Sequence, residues 1–176
     1  MTELNIVPEC YVDTKIAEIL GKAKKYNHVH GSGNVSNVMQ NKLKDRIVLG
    51  IIDEDKFKGR PARYFLTFET IIEKDNLVLK KHPLRRHFLV LICPEAEKWL
   101  LNDARKVNIN PSDEKYNLPN EIKGFKKISK IKSIDKNEGF KVFIKDLVRA
   151  ESPSITTLKK WISLFRFDEL NNLSNL

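Results

Sequence analysis

Two cysteines in 176 residues are too few for a disulfide framework or a four-thiolate zinc site, so Cys10 and Cys93, each at the end of an apolar run, read as reduced core residues. No apolar run approaches the ~20 residues that span a bilayer. The amino terminus is acidic and polar, unlike a secretory signal. A cytoplasmic protein is expected. No G-x-x-x-x-G-K-[ST] segment occurs, so a P-loop ATPase is not encoded in these residues. Internal repeats, low-complexity tracts and coiled-coil heptads are also lacking.

What the chain does have is enough apolar content, 41%, for one compact domain, or one with a small appended region. Positive charge is in excess: 32 Lys and Arg against 23 Asp and Glu give a net +9. The excess is clustered. Lys123, Lys126, Lys127, Lys130 and Lys132 fall within a stretch free of acidic residues, and Lys80, Lys81, Arg85 and Arg86 flank His82 and His87. Such patches suit a polyanion, because neutralised phosphates release counterions and give affinity without sequence reading. A solvated lysine-rich surface is the alternative.

Hydrophobic periodicity orders the elements. Leu4 to Pro8 reads as a strand, and Asp13 to Lys25 as an amphipathic helix with Asp13 as candidate cap and Ile16, Ile19, Leu20 and Ala23 inward. Tyr26 to His30 reads as a short second strand, Gly31 to Asn34 as a turn whose backbone amides could face an anion, and Val35, Val38, Met39 and Leu43 as the stripe of a second helix. Ile47 to Ile52 is a third strand. Two βα units feeding a third strand build a mainly parallel sheet flanked by helices, an α/β fold of Rossmann-like type. Lys58 to Pro61 reads as a loop, and Phe65 to Glu73 fits either a short helix or a strand. Leu77 to Lys81 and Phe88 to Cys93 form a hairpin or two neighbouring strands joined by a basic turn. Pro94 to Val107 is a helix with Trp99 and Leu100 inward. Residues 1–107 thus form the core. Residues 108–176 form a basic, mainly helical carboxyl-terminal extension packed on it, with amphipathic helices around Phe140 to Val148 and after Ser152-Pro153-Ser154.

The chemistry concentrates where RIVLGIIDEDK runs from apolar to acidic. Asp53 and Asp55 stand at the i, i+2 spacing that points two strand side chains to one side, and a continuous apolar run belongs to a strand buried on both faces. The carboxyl ends of such strands are where open α/β sheets bind ligands, and paired carboxylates there suit a hard cation, Mg²⁺ or Mn²⁺. An ordinary capped strand exit is the competing reading. Glu9 closes the first strand and Asp13 opens the following helix, so two strand ends face one cleft. His28 and His30 have a spacing that metal ligands use, but with no third nitrogen or thiolate nearby in sequence, a structural or phosphate-contacting role is expected over zinc.

A glutamate ending the first strand, an acidic residue four positions on, and a later apolar strand closing in Asp-x-Asp together resemble the Toprim domain of topoisomerases, primases and OLD-type nucleases. The segment Pro94-Glu95-Ala96-Glu97-Lys98-Trp99-Leu100-Leu101 is similar to the strand-to-helix passage of the OLD-type nucleases. The resemblance covers about residues 3 to 106. The position after the glutamate is commonly glycine in that family; here it is Cys10. The resemblance implies that Glu9, Asp13, Asp53, Asp55 and Glu97 are metal ligands, with Glu9, Asp53 and Asp55 catalytic, in a divalent-metal-dependent nuclease acting on DNA or RNA. It further implies a subunit of a defence or nucleic-acid-processing system, its ATPase, if any, on a separate protein. No tyrosine context recommends a topoisomerase. Two readings compete: a noncatalytic Toprim-like module that binds nucleic acid or a partner protein, and a receiver-type domain, which needs an acidic pair where only Glu9 stands.

Overall fold

The computed structural model describes residues 5–22, 26 and 28–166. Its centre is a five-stranded open sheet made of β1 (Asn5–Pro8), β2 (Val48–Asp53), β3 (Glu69–Lys74), β4 (Leu77–Lys81) and β5 (His87–Ile92), in spatial order β1-β2-β5-β4-β3. β1 pairs with β2, and β2 with β5, in parallel. β4 and β3 continue the sheet antiparallel. The sheet is therefore mixed, two parallel and two antiparallel ladders, where the sequence pattern suggests a mainly parallel one. The difference arises because the described residues of 26–30 add no parallel strand and β4 and β3 both run antiparallel, the β3–β4 hairpin closing through Asp75 and Asn76 at φ 51° and 57°, the left-handed pair that a two-residue turn needs.

Helices α1 (Tyr11–Gly21), α4 (Ala96–Lys106), α5 (Ile122–Ser129), α6 (Glu138–Arg149) and α7 (Pro153–Arg166) share one core with the sheet. Ile6, Leu49, Ile51, Phe88, Val90 and Ile92 meet Ile16, Trp99, Leu100, Phe143 and Trp161 there. The alternate residues Val48, Ile52, Leu89 and Leu91 pack with Val35, Met39, Phe65 and Phe68 in a second cluster. β2 and β5 are thus covered on both faces, which is why each reads as an unbroken apolar run. Gly50 lies where α2 (Ser32–Asn37) and the π turn after it cross β2. A Cβ at this position would stand 3.0 Å from Met39 Sδ and 3.1 Å from a Leu89 methyl. The carboxyl-terminal helices dock by capping as well as by apolar contact: the fully buried Asp103 carboxylate of α4 accepts from the N–H groups of Ser154 and Ile155, both at 3.1 Å, at the start of α7.

Several sequence expectations change. Tyr26 to His30 is not a strand among its described residues; a single backbone bond, Val29 N–H to Pro8 C=O at 3.3 Å, ties it to β1. Among the described residues the chain therefore passes from β1 to β2 with no strand between them. Asp13 does not cap α1. Cys10 does, its Sγ accepting from Asp13 N–H at 3.5 Å. The expected helix end at 23–25 and Leu4 of the first strand lie outside the described residues. Residues 58 and 59 are the end of α3 (Glu54–Gly59), a helix that starts directly where β2 stops. The open choice over residues 65–73 resolves into both forms, a 3-10 turn at Arg63–Thr67 and then β3. Among the described residues no helix is long and apolar enough to cross a membrane.

Candidate functional site

Parallel pairing puts the carboxyl ends of β1, β2 and β5 side by side. Glu9 follows β1, Asp53 ends β2, and the turn after β5 carries Glu95 and Glu97 into α4. All four line one cavity of about 430 Å³, together with Asp55, Cys10, Tyr11, His30, Lys126 and Ser129. Asp55 reaches this cleft by another route than strand alternation. It sits in the first turn of α3, exposed, its N–H bonded to Pro94 C=O at 3.1 Å, so Asp53 and Asp55 do not share one side of a strand. Asp53 spends one oxygen on the Ala96 N–H at 2.8 Å, which caps α4 and fixes the carboxylate against that helix. Cys10 has φ −133° and ψ 174°, an extended backbone open to any residue, so this turn has no need of glycine.

The acids feel one another. Burial and then the Glu97 charge push the Asp53 carboxyl up to about 7, Asp55 and Glu9 adding to the effect and the Ala96 N–H opposing it. Asp13, fully buried behind the cleft, is raised well above the usual carboxylate range, first by burial and then by Asp53, with the Cys10 thiol opposing. Among the described residues, neither Asp13 oxygen has a hydrogen-bond partner of ordinary geometry. The Cys10 thiol is raised in turn by burial and by Asp13. Such clustering is electrostatically costly and is relieved by protonation or by a cation.

The opposite wall is α5. Lys126 pairs with Glu95 at 2.6 Å, and this bond is the main reason its amine is raised; Glu97 and Asp55 contribute to the same rise. Ser129 donates to Glu97 at 2.5 Å, and Lys130 completes the lining. Lys123, Lys127 and Lys132, from the same region, are exposed to solvent. The other basic cluster is elsewhere. Arg85 and Arg86 lie by the amino end of β5, the far end of the sheet, roughly 17 Å from its carboxyl end at ~3.3 Å per residue, while Lys81 and Lys80 sit across from Phe88 and Leu89 of that strand. There Lys80 donates to Thr70 and Arg85 lies over the Tyr64 ring, 5.7 Å from its centroid.

Glu95, Ser129, Tyr11 and His30 are cleft residues that the sequence pattern did not assign to the acidic site. Ser129 is 32 positions from Glu97 and carries no local signal. Glu95 stands two residues before Glu97 and was within reach of the same segment. Among the described residues, no three His, Cys, Asp or Glu side chains are grouped as a preformed metal centre. Comparison of the chain with protein-family models, with curated proteins and with solved structures finds no match in any of the three.

Proposed function

We propose that this chain is a divalent-metal-dependent nuclease of Toprim-like design, hydrolysing phosphodiesters of DNA or RNA in the cleft at the carboxyl ends of β1, β2 and β5. One observation carries the reading: acidic groups from three adjacent parallel-strand ends line a single cleft whose other wall is lysine-bearing. The donor set is all hard oxygen, which suits Mg²⁺ or Mn²⁺. The Asp53 and Asp13 carboxyls, raised first by burial and then by their acidic neighbours, are groups whose ionised form a nearby cation would stabilise. Glu9, Asp53, Asp55 and Glu97 would hold the ion, with Asp13 behind them. Its chemistry is to lower the pKa of a bound water and to neutralise charge on the scissile phosphate. Ser129 orients Glu97 through its hydroxyl bond. Lys126 and Lys130 bind phosphate oxygens, Lys126 exchanging Glu95 for substrate. An ATPase, if the system uses one, is a separate partner.

The test pairs cleavage with binding. Purified protein is expected to cut single- or double-stranded DNA or RNA with Mn²⁺ and to stop in excess chelator. Binding, measured with the ion chelated, should weaken linearly in log salt, and replacing Lys126 and Lys130 by Gln should flatten the slope by roughly 1.4–1.8, at 0.7–0.9 per lost phosphate contact. Binding that keeps this slope without any cleavage would favour the noncatalytic module. No binding to any of the four substrates at low salt would reduce the basic face to a solvated surface.

A further inference from the structure

Beside the carboxylates, on the rim of the same cleft, is a group of different chemistry. Thr14 Oγ1 donates to Cys10 C=O at 2.7 Å, so towards His28 Nδ1, 3.1 Å away, it can only accept. His28 therefore carries its proton on Nδ1 and turns a bare Nε2 lone pair outward. That nitrogen stands 3.4 Å from Nε2 of His30, and His30 Nε2 stands 3.3 Å from the Tyr11 hydroxyl. Tyr11 is stacked on His28, ring centroids 4.3 Å apart, which holds the imidazole in plane. Two metal–nitrogen bonds of about 2.05 Å at the tetrahedral angle span roughly 3.3–3.4 Å between nitrogens. Metal-bound histidines characteristically donate their second ring N–H to an oxygen that fixes the tautomer; here the Thr14 hydroxyl plays that part.

We propose that His28 and His30 hold a borderline transition-metal ion of the zinc class at the cleft rim, with the Tyr11 hydroxyl as the third donor in reach and an open position for water or a phosphate oxygen. The sequence alone offers no third ligand. The fold supplies one by folding α1 back over residues 28–30. Imidazole nitrogen selects Zn²⁺ or Co²⁺ over Mg²⁺, whereas the all-oxygen carboxylate set next to it suits Mg²⁺ or Mn²⁺. This site does not depend on the nuclease reading.

Calorimetric titration of the full chain with Zn²⁺, alongside visible absorption with Co²⁺, tests the assignment. A Zn²⁺ site is expected to persist in saturating Mg²⁺ and in Asp53→Asn/Glu97→Gln protein, with Co²⁺ giving the intense absorption of four-coordinate geometry. His28→Gln or His30→Gln should each weaken Zn²⁺ by tenfold or more, and Thr14→Val by about tenfold through loss of the tautomer lock. Zn²⁺ affinity unchanged in both histidine variants, or lost in the carboxylate variant while both histidines remain, would overturn the site. Absence of Zn²⁺ binding to the wild-type chain would overturn it equally.

Discussion

Asp53→Asn combined with Asp55→Asn is expected to abolish divalent-dependent cleavage while the protein stays folded. Losing one preorganised electrostatic contact at a reacting centre typically costs roughly 10²–10³ in rate, and the double change removes two of the acidic ligands. The fold should survive for separate local reasons. The amide oxygen that Asp53→Asn leaves in place still accepts from the Ala96 N–H, so the cap on α4 remains. Asp55 is exposed in the first turn of α3, where removing its charge gives up a favourable interaction with the helix dipole and no buried contact. Circular dichroism and a cleavage assay on the same preparation separate the outcomes. Unchanged cleavage would remove Asp53 and Asp55 from the site, and an unfolded variant would make them structural caps.

Asp53 should make the metal-free protein lose stability as pH rises from about 4 to about 7, against an opposing gain from His28, His82 and His87, whose imidazoles burial holds below the usual range. Asp53 ionises near 3.8 in the unfolded chain and at about 7 in the folded one. Between these values the unfolded state has released a proton that the native state keeps, so stability falls across the window and stays low above it. At 1.36 kcal/mol per pH unit, the interval bounds the Asp53 contribution at roughly 4 kcal/mol. Asp13, raised by the same burial and by Asp53, acts in the same direction. Urea midpoints measured in chelator at pH 5, 6, 7 and 8 should fall relative to those of Asp53→Asn, which keeps the histidine contribution and lacks the Asp53 one. Mn²⁺ at a hundred times its dissociation constant should offset part of that loss at pH 8, by about 2.7 kcal/mol, with affinity rising through pH 7 as Asp53 deprotonates. Mn²⁺ stabilisation should disappear in Glu9→Gln. A pH profile identical in wild type and Asp53→Asn would mean that the cluster does not carry the strain assigned to it.

The parts of the fold legible in sequence are those where burial leaves a periodic trace. β2 and β5 are covered on both faces and read as continuous apolar runs; α6 and α7 pack one stripe and read as amphipathic. Residues 28–30 misled because Val29 and its neighbours have strand composition, while the geometry there allows one backbone bond to β1 and the side chains of His28 and His30 turn to Tyr11 and Thr14. Asp55 misled differently: extending strand alternation past Asp53 assumed that β2 continues, whereas a helix begins at Glu54. Glu9 and Asp53 were legible because the ends of apolar strands are recognisable one at a time; Glu97, inside α4, was reached only through the family resemblance of its segment, and parallel pairing brings the three to one cleft. The α5 wall was legible only as charge. Its placement against Glu95 and Glu97 comes from long-range packing of α5 on α4, which no local pattern encodes. The basic turn at 82–86 shows the converse, a charge cluster that the topology sends to the other end of the sheet.

Anomalous diffraction from crystals grown with millimolar Mn²⁺ at pH 8 tests the metal site most directly. The account predicts a manganese peak within coordination distance of oxygens from Glu9, Asp53 and Glu97, absent from Glu9→Gln crystals grown the same way. No peak in that cleft at saturating Mn²⁺, or one confined to His28 and His30, would contradict it.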